Sequence, residues 1–277
     1  MKHRTTWLAM FVLLASVPLA SAQRVLLGQF GDFEFPYFTG AILDLGLQDV
    51  TTVTVRQDDF LDELRSLRFD LVIVRSIDLF QPDLEDAILT ELEDHVASGG
   101  KLHFQMAELD RASDRYLDLL GLEAAVELEL PLHDLRAPIP PHPSVAGAGF
   151  VGARSEGLSP DYGDTLMPKS NSFVTRTFDV SGPTAAVLSV NGRVLVNGSQ
   201  WDNWAPSLGS SGTIATELAW LLSCPADLDG DSDLTVFDFF EFQNLFDAGD
   251  PRADVFYDGR LDVFDFLAFF NQFQDGC

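Results

Sequence analysis

Two acidic runs carry the residue types and spacing of a cation site. The first places Asp227, Asp229, Asp231, Asp233, Thr235 and Asp238 in order, and the second places Asp254, Asp258, Arg260, Asp262 and Asp265. Ca2+ is a hard cation, and a loop that wraps it supplies oxygens from positions 1, 3, 5, 7 (through the carbonyl), 9 and 12. The first run fills each of these positions, with the Asp233 carbonyl at 7, Thr235 at 9 and Asp238 at 12. The second offers Asp254, Asp258, the Arg260 carbonyl, Asp262 and Asp265, but its third position is Phe256, which has no side-chain oxygen. The second loop is therefore expected to bind more weakly or to fill the gap with water. Ser232 stands at the sharp turn of the first loop, where glycine is preferred, and Gly259 occupies that turn in the second.

Each run leads into a phenylalanine-rich segment predicted to be helical. Phe239, Phe242 and Phe246 share one helix face, as do Phe266, Phe269 and Phe273. Two such faces can pack on each other as the core of a unit otherwise too small to hold itself together. Phe240 and Phe270 fall off the stripe and are the candidates for an exposed docking contact. The copies are offset by 27 residues and match at Val236 and Val263, Phe237 and Phe264, Asn244 and Asn271, and Gly249 and Gly276. This duplication of an EF-hand-type loop plus one helix resembles a type I dockerin, and more closely the dockerin-like domains ending in Gly-Cys of many planctomycete exported proteins. The resemblance covers 224–277. It implies calcium-dependent folding, an all-α module, and tethering to a cohesin-like or cell-surface partner.

The chain has two cysteines, Cys224 and Cys277, which bracket this module. In an oxidising compartment they suggest a clasp worth roughly 4 kcal/mol by loop closure; the alternative is two free thiols. Lys2, His3 and Arg4, an apolar run, and then Ala20, Ser21 and Ala22 form the three-part pattern of a secretory signal over 1–22. Export to the periplasm, cell surface or medium is the expectation, with no transmembrane span. The net charge of −26 argues against nucleic acid or an anionic membrane as a partner, since phosphates are bound by Lys and Arg, and suits divalent cations or basic surfaces.

The larger region, 23–222, must position whatever else the chain does. Apolar runs at 24–30, 51–55, 70–74 and 101–106 read as strands. Helical periods at 37–45, 58–67, 82–98 and 113–120 alternate with them, and Gly99 and Gly100 end the third. That order predicts an α/β three-layer sandwich with a mostly parallel sheet. Regularity fails over 131–172, rich in Pro, Gly and Ser. Strands follow at 174–180, 185–190 and 193–196, with Asn191-Gly192 as a hairpin signal, and then a closing helix at 213–222. The segments 70–74, 98–102, 119–122 and 217–222 resemble fold-bearing positions of the class I glutamine amidotransferase-like superfamily, including its trehalose-utilisation-like members.

Catalytic members of that superfamily use a cysteine on a glycine-flanked turn. Here that turn reads Ala107, Glu108, Leu109, Asp110, and 23–223 holds no cysteine, so thiol chemistry is excluded. No G-x-S-x-G elbow occurs either. Glu108 and Asp110 fall just past a strand's carboxyl end, where α/β sheets present their sites; they suit acid–base work or cation binding, against solvated loop acids as the plainer reading. His95 and His103 read as structural. His133 and His142, with Asp134, are a conceivable metal or acid–base set, and Trp201 and Trp204, flanking Asn203, a conceivable sugar platform. The leading expectation is an exported, non-catalytic or catalytically unassigned α/β protein tethered by its calcium module. The alternative is a dockerin-bearing hydrolase acting on glycans, which rests on analogy.

Overall fold

The computed structural model describes residues 23–30, 36–54, 56–76, 78–128, 135–136, 163–170, 172–178, 182–189, 192–198, 210–224, 226–229, 233–255 and 260–275. The first half alternates as predicted: β1 (Arg24–Phe30), α1 (Pro36–Asp44), β2 (Asp49–Thr54), α2 (Gln57–Ser66), β3 (Leu71–Ser76), α3 (Glu85–Ala97), β4 (Lys101–Met106) and α4 (Asp114–Leu120). Then come β5 (Leu122–Glu127), β6 (Leu135–Arg136), β7 (Asp164–Pro168), β8 (Ser172–Phe178), β9 (Thr184–Ser189), β10 (Val194–Asn197) and α5 (Ser210–Leu222). Two further helices, α6 (Val236–Ala248) and α7 (Val263–Asp275), follow.

Among the described residues the main sheet has the order β2-β1-β3-β4-β10-β9-β8-β6. Its first five strands pair in parallel and the remaining pairings are antiparallel. β3 lies between β1 and β4, and all its residues are buried, as a strand covered on both faces requires. Alternate residues of the strands serve two cores. Val25, Leu27 and Ile73 pack with Phe38 and Ile42 of α1 and with Leu218 and Leu221 of α5. Leu26, Val72 and Val74 pack on the other face with Phe60 of α2, Ile88 and Leu92 of α3, and Tyr116 of α4. Helices therefore cover both faces, and the α/β three-layer expectation holds.

α3 ends where Gly99 takes a φ of +99°, in the left-handed region open to glycine. A hairpin joins β9 to β10 in antiparallel register, Leu188 opposite Leu195, and Gly192 there has a φ of +68°. The stretch 131–172, expected to be irregular, contains β7, which pairs with β5 in a second, two-stranded sheet. Its partner lies some forty residues earlier in the chain, so no local period announces it. No helix among the described residues is long and apolar enough to cross a membrane.

Candidate functional site

In the first acidic run Thr235 is the N-cap of α6. Its hydroxyl oxygen accepts from the Phe237 N–H at 3.1 Å, and the Asp238 carboxylate accepts from the Thr235 N–H at 2.8 Å, which closes a capping box. The other Asp238 oxygen accepts from Leu228 N–H at 2.9 Å and Asp229 N–H at 3.3 Å. One fully buried carboxylate thus ties the start of the loop to the start of the helix. Carboxylate oxygens of Asp227, Asp229 and Asp238 lie within 4.8 Å of one another. Asp233 is exposed, and Asp231 lies outside the described residues.

The second run repeats the cap. Asp265, buried, accepts from the Asp262 N–H at 2.8 Å, and Asp262 accepts from the Phe264 N–H at 2.8 Å, doing for α7 what Thr235 does for α6. The capping role of Asp262 adds to its expected place as a ligand. Asp254 and Arg260 are described, whereas Asp258 lies outside the described residues, with Phe256.

The phenylalanine stripes meet as expected. Phe242 and Phe269 are buried and stack with ring centroids 4.4 Å apart and planes at 14°. Phe239, Phe246 and Phe273 pack around them, partly buried. Phe266 departs from its expected place: it touches the rings of Phe239 and Phe242 yet stays 38% exposed, because it flanks the stacked pair instead of lying beneath it. Phe240 and Phe270 are exposed, as their off-stripe positions predict, and so are Val236, Phe237, Val263, Phe264 and Leu267. Cys224 is disulfide-bonded. Cys277 is the chain's other cysteine and lies outside the described residues.

At the carboxyl end of β4, Glu108 and Asp110 sit on a tight turn (Leu109–Arg111) where the sequence placed them. Glu108 is buried and ion-paired to Arg111 at 2.6 Å, and Asp110 is exposed. The structure adds a third acid that sequence reasoning missed. Asp164, the first residue of β7, is 1% exposed and accepts from the N–H groups of Leu109 at 2.6 Å and Asp110 at 3.3 Å. Burial, then the charge of Asp110 and, less, that of Glu108, push its carboxyl up to about 7 against the pull of those two N–H groups. A carboxylic acid titrating near neutrality among other carboxylates can hold and move a proton.

His103, read as structural, belongs to a buried polar network. Its Nε2 faces Glu217 of α5 at 2.9 Å, Arg176 of β8 donates to the other Glu217 oxygen at 2.9 Å, and Asn197 of β10 donates to Glu217 at 3.1 Å. All four side chains are at most 1% exposed. Burial drives the Glu217 carboxyl up, but the Arg176 charge and the His103 bond outweigh it and hold it below the usual carboxylate range. His95 of α3 is half-buried and bonds the Lys101 carbonyl at 2.9 Å. His133, Asp134, His142, Trp201, Asn203 and Trp204 lie outside the described residues.

Fold and sites together define a three-layer α/β protein with a mostly parallel sheet, joined in sequence to a duplicated loop–helix segment. Similar solved structures include a GMP synthase subunit protein from Thermoplasma acidophilum, 8% identical with a TM-score of 0.45, covering 72% of this chain and 94% of that one. A ThuA-like protein from Bacteroides uniformis is 11% identical with a TM-score of 0.47, covering 72% and 91%. A chain of PurLQS from Thermotoga maritima is 13% identical with a TM-score of 0.46, covering 73% and 100%. No family profile matches the chain, and no curated protein matches it.

Proposed function

We propose that this is an exported protein whose α/β region is tethered through a calcium-ordered, dockerin-like module formed by 224–277. The observation that carries the reading is the convergence of Asp227, Asp229 and Asp238 to within 4.8 Å. Three carboxylates this close repel one another, and a divalent cation relieves that repulsion while using oxygens that suit Ca2+. The residues fit the ion: Asp227, Asp229, Asp231, the Asp233 carbonyl, Thr235 and Asp238 would hold it. Asp238 couples binding to folding, because the same carboxylate caps α6 and gathers the loop. A cohesin-like or cell-surface protein is the partner class that the dockerin resemblance implies.

Calcium titration of the full chain, followed by near-ultraviolet circular dichroism and melting, tests this. Ca2+ is expected to raise the melting transition of the module, and Asp227→Ala with Asp238→Ala to abolish most of that shift. A transition indifferent to calcium and to chelator would sink the reading.

A second reading, a glycan hydrolase, is favoured by Asp164, a buried acid poised near neutrality beside Glu108 and Asp110. Turnover of a polysaccharide that Asp164→Asn removes would support it.

A further inference from the structure

Basic residues are scarce in this chain, and lysines scarcer still: of its 17 basic side chains three are lysines, Lys2, Lys101 and Lys169. The difference matters because arginine keeps its charge at any ordinary pH, whereas a lysine can give up its proton and become a nucleophile. Lys169 is partly exposed and ion-paired to Asp118. Lys101 is the opposite case, since it opens β4 and is only 8% exposed. It pairs with Leu71 of β3, and Leu71 belongs to the core formed with Leu218 and Leu221 of α5. Two residues further on, His103 meets Glu217 of the same helix, so the Lys101 side chain stands on the face that α5 covers. On its other side the Leu102 N–H donates to the Arg193 carbonyl at 2.7 Å, one step before Leu102 pairs with Val194 of β10. Lys101 and Arg193 are thus neighbours at the starts of two parallel strands, and the Arg193 charge repels the Lys101 ammonium.

In a chain of net charge −26 an acid is the expected neighbour of a buried lysine. Among the described residues none reaches this one: burial and Arg193 act on the ammonium, and no hydrogen bond or carboxylate does. Asp70, whose carbonyl accepts from the Lys101 N–H, gives its carboxylate to the Arg24 N–H. His95 bonds the Lys101 carbonyl and not its side chain. Nζ is not one of the fully enclosed polar atoms that lack a partner, so it keeps contact with solvent. Burial first, and then the Arg193 charge, bring the ammonium down to about 8, which leaves a reactive fraction of free amine near neutral pH.

A hydrated anion would have to shed its water to enter so enclosed a place, whereas a small neutral electrophile enters without that cost. An aldehyde would form an imine, which when protonated still turns a positive charge towards Arg193. Carbon dioxide reverses the charge. The amine lone pair attacks its carbon, an N–C bond forms, one C=O electron pair moves onto oxygen, and the nitrogen passes a proton to water. The product is a carbamate with a single negative charge, so repulsion between the two side chains becomes attraction. A guanidinium has five N–H donors, enough for Arg193 to face the carbamate beside its other contacts. We propose that Lys101 is a carbamylation site, where the side-chain amine takes up carbon dioxide and Arg193 holds the carbamate that forms. The proposal is independent of the calcium reading.

Equilibrating the full chain with carbon-13 bicarbonate at about pH 8, where free amine is plentiful, tests it. The carbamate is read by carbon-13 resonance, then trapped as its ethyl ester with triethyloxonium and placed by peptide mass spectrometry. The ester is expected on Lys101 in excess of Lys169 and the α-amino group. Lys101→Met is expected to remove that resonance while the melting temperature holds or rises, because it replaces a buried charge that no acid compensates. Arg193→Gln is expected to cut the Lys101 ester about tenfold or more, since it both tightens the amine's hold on its proton and removes the counter-charge. Lys101 left unmodified, or trapping confined to Lys169 and the α-amino group, would overturn the proposal. So would an Arg193→Gln variant that traps as much ester as wild type, or inorganic phosphate that binds at Lys101 more tightly than bicarbonate labels it.

Discussion

At the scale of single residues, the informative ones are buried acids whose neighbours differ. Glu217 lies among donors and stays charged, whereas Asp164 lies among acids and is pushed up to about 7. The folded state therefore binds the Asp164 proton more tightly than the unfolded chain, whose carboxyl titrates near 3.8. The stability this proton contributes is fully present below the unfolded value and is lost as pH rises through the folded one. Melting temperatures of wild type and Asp164→Asn should show it. Wild type is expected to lose stability relative to the variant between about pH 4 and 7, and parallel profiles would contradict the assignment. Glu108 and Asp110 were legible in sequence because they directly follow a strongly patterned strand. Asp164 was not, since what brings it to Leu109 and Asp110 is a pairing between β5 and β7 across a long stretch of chain.

Among elements, the junction of α3 and β4 shows how tightly the sheet's amino-terminal edge is built. A Cβ added at Gly100 would lie 2.1 Å from the His95 ring, which is itself fixed by its bond to the Lys101 carbonyl. Gly100→Ala is expected to displace the ring, break that bond and cost about 1–3 kcal/mol in chemical denaturation. In a His95→Ala background the same change should cost far less, and equal costs in both backgrounds would show that the backbone, not the ring, sets the penalty. The sequence located this junction because Gly99 and Gly100 follow a clear helical period. It did not identify the caps of α6 and α7: Thr235 and Asp262, read there as ion ligands, also accept from the first N–H groups of the helices, three residues before Asp238 and Asp265. It did not show that Phe266 would stand at the flank of the stacked pair, because helix period gives a face and not the angle at which two helices meet.

On the scale of the whole molecule, three hydrophobic clusters form among the described residues, two on the faces of the main sheet and a small one around Phe242 and Phe269. So small a cluster needs reinforcement, and Cys224 is bonded within a chain that has one other cysteine. Reduction is expected to destabilise the 224–277 segment by about 4 kcal/mol and to weaken the calcium binding proposed for it, while the α/β transition stays in place; calorimetry with and without reductant would show both, and a single unshifted transition would refute it. By itself the sequence determined the alternation of strands and helices, the two acid loops, and the lack of a cysteine over 23–223. These are matters of local period, spacing and residue type. Only the tertiary structure decided that Glu217, His103, Arg176 and Asn197 share one buried network, and that Lys101 and Arg193 stand side by side. Strand order and register set those meetings, and they follow from how distant segments pack, which no local pattern encodes.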